Sequence, residues 1–204
     1  MIVPAGPNAV TLATEALRAG EVVALPTDTV YGLAALPTVA GATDRLFALK
    51  GRGTDVPIAV LCAAAGQALG LAAPDALSAE VRGIAEHLWP GPLTLVLPRR
   101  PGLGYALGEP AETVGVRCPH HELVRAVAAA VGPIATTSAN RHRDPPAPTA
   151  AGVAATFGAG LGLVVDGGRR EAPPSTVVAV TGTGWKLLRE GPIPLAAVAD
   201  AARQ

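Results

Sequence analysis

Thr27-Asp28-Thr29 follows Pro26, directly after the apolar run of residues 21–25. A proline stops a strand's hydrogen-bonding ladder, and open α/β sheets take ligands at the carboxyl ends of their strands. Two hydroxyls and a carboxylate there could hold a small polar substrate, or could simply build a capped turn. Lys50-Gly51-Arg52-Gly53 sets a point-charge ammonium and a forked guanidinium around a glycine. Those are the parts of a phosphate grip, and equally of a glycine-capped helix end complementing its dipole. Lys50 is one of two lysines in a chain with fourteen arginines. Arg117 ends the run Thr113-Val114-Gly115-Val116-Arg117, a place suited to anion capture or to a surface ion pair. The polar cluster Thr136-Thr137-Ser138-Ala139-Asn140 follows an apolar strand start at Ile134. Its hydroxyls and amide can make selective hydrogen bonds without bulk, or cap a helix. Pro174-Ser175-Thr176 and Leu188-Arg189-Glu190-Gly191 repeat the theme near the end of the chain.

Other chemistries lack their signatures. His120-His121 has no partner at metal-ligand spacing. Neither a Walker loop nor a G-x-G-x-x-G following a strand is present, and no G-x-S-x-G elbow. Cys62 and Cys118 are too few for a disulfide scaffold and read as packed thiols of a reducing, cytoplasmic protein. Six scattered aromatics make no base-stacking platform.

The elements that must position these groups alternate in type. Short apolar runs at 21–25, 57–62, 93–97, 114–118, 162–166, 176–180 and 185–188 read as strands. Helical periods at 8–18, 39–49, 76–88, 121–131, 149–157 and 195–202 lie between them, several closed by a glycine. Continuous apolar strands alternating with helices imply an α/β sheet buried by helices. The last two strands, with no helix between them, imply that the sheet is mixed. Residues 57–74 hold Gln67 as their one polar side chain, but prolines at both ends and a change of texture at Cys62 favour a strand and an Ala-rich helix over a membrane span. Three prolines in 141–148 mark a loop. The chain has 204 residues, is half apolar and carries sixteen basic and sixteen acidic groups, spread evenly over its two halves. That is enough for one well-packed domain over 1–204, and it disfavours a broadly basic nucleic-acid surface. Any basic site must be local.

Seven segments taken together resemble the YrdC-type L-threonylcarbamoyladenylate synthases, in the single-domain form. They are PTDTVYGL (26–33), LKGR (49–52), WPGPLT (89–94), TVGVRCPHH (113–121), TTSAN (136–140), PSTVV (174–178) and LLREG (187–191). The resemblance implies an α/β fold, a twisted mixed sheet flanked by helices with one large concave cleft. It implies that L-threonine, bicarbonate or CO2, and ATP become threonylcarbamoyl-AMP and pyrophosphate. A downstream tRNA threonylcarbamoyl transferase would use the product, with weak tRNA binding and no membrane partner. By this resemblance Thr29, Arg117, Thr136 and Ser175 hold threonine, with Arg117 on its carboxylate. Lys50, Arg52, Thr113, Ser138, Asn140 and Arg189 line the nucleotide, Lys50 and Arg52 being the catalytic pair and Asn140 a support for the Ser138 loop. Mg²⁺ would enter with ATP, with no protein-ligated metal. The alternative is a YrdC-like paralogue of other or no catalytic activity, acting as a nucleotide- or RNA-binding module.

The sequence departs from the family pattern at Asp28, where Glu is common, and at Gly53, where proline is usual. Val56 and Leu61 stand where an Asn and a His often lie, and Arg141-His142-Arg143 replaces a small Ser-Gly loop. The chemistry itself makes one demand. Three anionic reactants repel one another, so Lys50, Arg52, Arg117 and Arg189, distant in sequence, must be gathered about one hollow.

Overall fold

The computed structural model describes residues 1–181 and 184–204. In chain order the first half runs β1 (Ile2–Pro4), α1 (Pro7–Arg18), β2 (Val23–Pro26), β3 (Tyr31–Ala35), α2 (Ala42–Lys50), β4 (Ala59–Leu61), α3 (Ala65–Leu69), α4 (Ala79–Leu88) and β5 (Leu93–Pro98). The second half runs β6 (Thr113–Arg117), α5 (Glu122–Val131), β7 (Ile134–Ser138), α6 (Ala150–Phe157), β8 (Leu163–Asp166), β9 (Thr176–Thr181), β10 (Gly184–Arg189) and α7 (Leu195–Ala201). All the strands join one twisted sheet in the order β1-β8-β2-β3-β7-β4-β6-β5-β9-β10. It is mixed, as expected: β2/β8, β4/β6 and β5/β9 are parallel, while β2/β3, β3/β7, β4/β7, β5/β6 and β9/β10 are antiparallel.

The two faces of the sheet are covered unequally, and this makes the site. One face packs under α2, α4, α6 and α7, where Leu46, Phe47, Ile84, Val153 and Val198 meet Leu33, Val60, Leu95, Val116 and Val178. On the other face α1 and α5 bring Leu17, Val124 and Val127 against Val23, Leu25, Ala34, Ile134 and Leu163. Each of these fully buried side chains contributes about 1.5–3 kcal/mol of transfer free energy. Because α1 and α5 cover one half of that face, its other half, over β4, β6, β5 and β9, stays open. Strand alternation then sorts residues. On β6, Val114 and Val116 enter the core while Thr113, Gly115 and Arg117 line the open side.

Several elements differ from the sequence reading. β3 is not among the strands read from the sequence: Tyr-Gly-Leu-Ala-Ala has weak strand propensity, yet its five residues are buried because β2 and β7 pair with it on both sides. The three-residue β1 was not expected, and β7 continues through the whole Thr136-Thr137-Ser138 cluster. The helix expected at 39–49 begins at Ala42, after Gly41 at φ 74°, and the one at 76–88 begins at Ala79, capped by Ser78. Thr149 and His121, read as helical, are N-caps. Residues 57–74 divide into β4 and α3, and among the described residues no helix is long and apolar enough to cross a membrane.

Candidate functional site

The open half-face is a cavity of about 320 Å³ whose wall comes from strand ends and from the loops after β2, α2, β5 and β8. Thr27, Thr29, Thr113, Arg117, Thr136, Ser138, Ser175, Arg52 and Arg189 line it. Its volume lies at the lower edge of the range for small-molecule sites. Two glycines keep the floor open. A Cβ on Gly32 would lie 2.9 Å from Thr136 Oγ1, and Gly115 faces the cavity between Thr113 and Arg117.

Arg117, 5% exposed, is held on three sides. Nε donates to Gly91 O at 3.0 Å, Nη1 to Thr29 Oγ1 at 3.2 Å, and Nη2 to Asp28 Oδ1 at 2.5 Å. A guanidinium has five N–H donors, so each terminal nitrogen keeps one for a ligand. The Trp89-Pro90-Gly91-Pro92 turn supplies the carbonyl that aims the fork. The Thr27-Asp28-Thr29 segment is both of the things it could have been. Thr27 Oγ1 accepts from Thr29 N at 3.1 Å and lies 3.0 Å from Thr29 Oγ1, making a turn whose two hydroxyls still face the cavity together.

A second polar cluster stands at the start of β9. Ser175 Oγ lies 2.9 Å from Thr94 Oγ1 and accepts from Arg189 Nη2 at 2.9 Å, while Arg189 Nε donates to Ser175 O at 2.9 Å. Sequence reasoning missed Thr94; its signal was the threonine ending Trp-Pro-Gly-Pro-Leu-Thr. Burial, and next the charge of Arg117, lower the affinity of Arg189 for its proton, so the two guanidiniums feel each other. Both stay charged, since an arginine in a protein does not deprotonate. Gly191 permits this packing. A Cβ there would lie 2.5 Å from Pro174 O and 2.6 Å from Ser175 C. We therefore expect Gly191→Ala to displace Arg189 and lower stability by about 1–3 kcal/mol, measured by urea unfolding.

Lys50 does not reach the cavity surface. It is 3% exposed, and its ammonium donates to Ser138 O at 2.6 Å, Ser138 Oγ at 3.2 Å and Asn140 Oδ1 at 2.7 Å. Gly51, at φ 65°, ends α2 and lets the chain turn so that Lys50 points back and Arg52 forward. Asn140 in turn donates to Arg141 O and Asp144 O, fastening the loop at 141–148. Lys50 and Asn140 thus stand behind the wall that Ser138 presents. Arg52 faces the cavity from the loop at 51–58, held by Val56 O and Pro57 O. Thr113 lies on the wall at the start of β6, and Thr136 there donates to Leu33 O at 2.9 Å.

Three of the four expected cations therefore meet at one cavity, with the fourth one residue behind it. None of the described residues lining it is acidic, because Asp28 sits behind Arg117. Such a hollow attracts anions. Among the described residues no three of His, Cys, Asp and Glu come together in a group fit to hold a metal ion. Val56 and Leu61 give the wall an apolar portion.

The Sua5, YciO and YrdC family model, described as telomere recombination, matches residues 15–191. A Mycobacterium tuberculosis protein provisionally named threonylcarbamoyl-AMP synthase is 35% identical over 191 residues, 92% of this chain and 86% of that one. The threonylcarbamoyl-AMP synthase of Pyrococcus abyssi is 37% identical over 188 residues, 91% of this chain and 55% of its own. P. abyssi Sua5, solved in complex with L-threonine, superposes with a TM-score of 0.91 at 33% identity, over 98% of this chain and 60% of that one. The chain thus spans about six tenths of that structure. Escherichia coli YciO matches at a TM-score of 0.85 and 20% identity, over 97% and 98% of the two chains, a likeness of fold alone.

Proposed function

Because the chain belongs to the Sua5, YciO and YrdC family, we propose that it is a threonylcarbamoyl-AMP synthase, joining L-threonine, bicarbonate or CO2, and ATP into threonylcarbamoyl-AMP with release of pyrophosphate. The observation that carries this reading is the meeting of Arg52, Arg117 and Arg189 at one cavity with no lining carboxylate. Arg117 takes the threonine carboxylate with its two remaining N–H groups, and Thr29, Thr136 and Ser175 bound the amino acid. Arg52, Arg189, Thr113 and Ser138 receive the nucleotide, with Lys50 and Asn140 stiffening the Ser138 wall. The neutral threonine amine adds to CO2 and releases a proton to water, and an oxygen of the resulting carbamate then attacks the α-phosphorus as pyrophosphate leaves. No side chain need form a covalent bond. The residues supply proximity and fixed positive charge, which act where negative charge builds up. Mg²⁺ would enter with ATP and offset the charge of its phosphates. The product is a mixed anhydride, and a transferase that passes its threonylcarbamoyl group to a tRNA adenosine would consume it.

Incubation with ATP, bicarbonate and radiolabelled L-threonine tests this. The expected result is a labelled adenylate with bicarbonate-dependent pyrophosphate. In the same assay Arg52→Ala and Arg189→Ala should each lower kcat/KM on the order of 10²-fold, the scale of one preorganised charge donor. Nucleotide binding with no labelled adenylate would favour the non-catalytic paralogue.

A further inference from the structure

Among the described residues His121 belongs to no group fit to hold a metal ion, and it has no part in the proposed reaction, yet one of its ring nitrogens is hydrogen-bonded and the other is buried. Arg170 Nη2 lies 3.3 Å from His121 Nε2. A guanidinium can only donate, so Nε2 accepts, and the proton of the neutral ring sits on Nδ1. His121 Nδ1 is buried and has no hydrogen-bond partner among the described residues. So is Asp28 Oδ2, the carboxylate oxygen that Arg117 leaves unused. One is a donor and the other an acceptor, and the charge of Asp28 acts on the imidazole. A buried polar atom left without a partner keeps its full desolvation cost.

We propose that one ordered water bridges His121 Nδ1–H to Asp28 Oδ2, completing a relay Arg170–His121–Asp28–Arg117 that sets the angle at which the Arg117 fork meets a carboxylate. His121 is thereby a positioning residue. Both ends of the relay are anchored. Arg170 Nη2 also donates to Gly167 O at 2.8 Å, its backbone N–H donates to Pro148 O at 2.8 Å, and Arg117 is fixed by Gly91 and Thr29. His121 stands at the N-cap of α5 with no side-chain capping bond, so its ring is not otherwise engaged there. Burial, and next the charge of Arg170, hold the imidazole below its ordinary pKa, which favours the neutral form the relay needs.

The kinetic consequence rests on the threonine reading of the cavity; the hydrogen bond does not. Histidine-selective ¹⁵N labelling of the full chain, read near neutral pH with His121 assigned by its loss in His121→Asn, should show the Nδ1–H tautomer. The Nε2–H tautomer or an imidazolium would overturn the relay. In the synthase assay His121→Phe should raise KM for L-threonine about tenfold and leave KM for ATP near wild type. His121→Asn, whose amide nitrogen stands near the place of Nδ1, should recover most of that loss. A Phe variant equal to the Asn variant, or a loss shared by ATP, would also overturn it. If the unmodified protein made no adenylate, the proposed function would fail while the tautomer still decided the relay.

Discussion

Replacing Arg117 with Ala is expected to lower kcat/KM for L-threonine on the order of 10³-fold and, separately, to destabilise the fold by about 3–5 kcal/mol. The two losses have different origins. The first is the missing fork for the substrate carboxylate. The second arises because Asp28, with its side chain 12% exposed, keeps a buried charge that has lost its cation. Adding Asp28→Asn to Arg117→Ala removes that orphaned charge, so stability measured by urea unfolding should recover while threonine use does not. Arg117→Lys should preserve more stability than Ala yet restore little activity, because an ammonium cannot reproduce the fork held by Gly91, Thr29 and Asp28. Threonine saturation unchanged in Arg117→Ala would remove the amino-acid site from this end of the cavity.

Lys50→Met is expected to act at the other end. It leaves Ser138 O and Asn140 Oδ1 without their buried donor, a cost of about 1–3 kcal/mol for each unpartnered group. The Ser138 wall then loosens, and KM for ATP should rise on the order of 10-fold or more, with KM for threonine changing far less. The intact protein should show a related pH effect. Burial, and next the charge of Arg52, lower the Lys50 pKa to about 8. The ammonium is thus charged below that pH and loses its proton above it. kcat/KM for ATP should therefore fall as pH rises through about 8, and this limb should be absent in Lys50→Met. For folding the sign is the reverse: the unfolded chain protonates Lys50 at higher pH than the folded one, so this residue's share of stability declines as pH falls from about 10.5 to 8. A profile flat through that range in the wild type would show that the charge on Lys50 does not hold the wall.

Much of the chemistry was readable one segment at a time, and the reasons are local. Pro26 stops β2 at the residue where the polar turn begins, Gly51 ends α2 because it alone of the local residues takes a positive φ readily, and Ser78 and Thr149 cap their helices through their own hydroxyls. The hidden parts depend on neighbours far along the chain. β3 is a strand because β2 and β7 flank it, not because Tyr-Gly-Leu-Ala-Ala favours one. Thr94 gained a role only when β5 aligned beside β9 and brought it to Ser175.

From composition, spacing and punctuation alone came the alternating α/β pattern and the kinds of polar group waiting at the strand ends, since those follow from φ preferences, caps and side-chain chemistry within a few residues. Which groups face one another was decided by the sheet. Residues 88 to 90 positions apart, such as Arg117 with Thr29 and Lys50 with Asn140, become partners through strand order and register. The hollow exists because two helices cover half of one face and leave the rest bare. Lys50 carries the same charge whether it faces a phosphate or a neighbouring carbonyl, and only the packed backbone around it settles which.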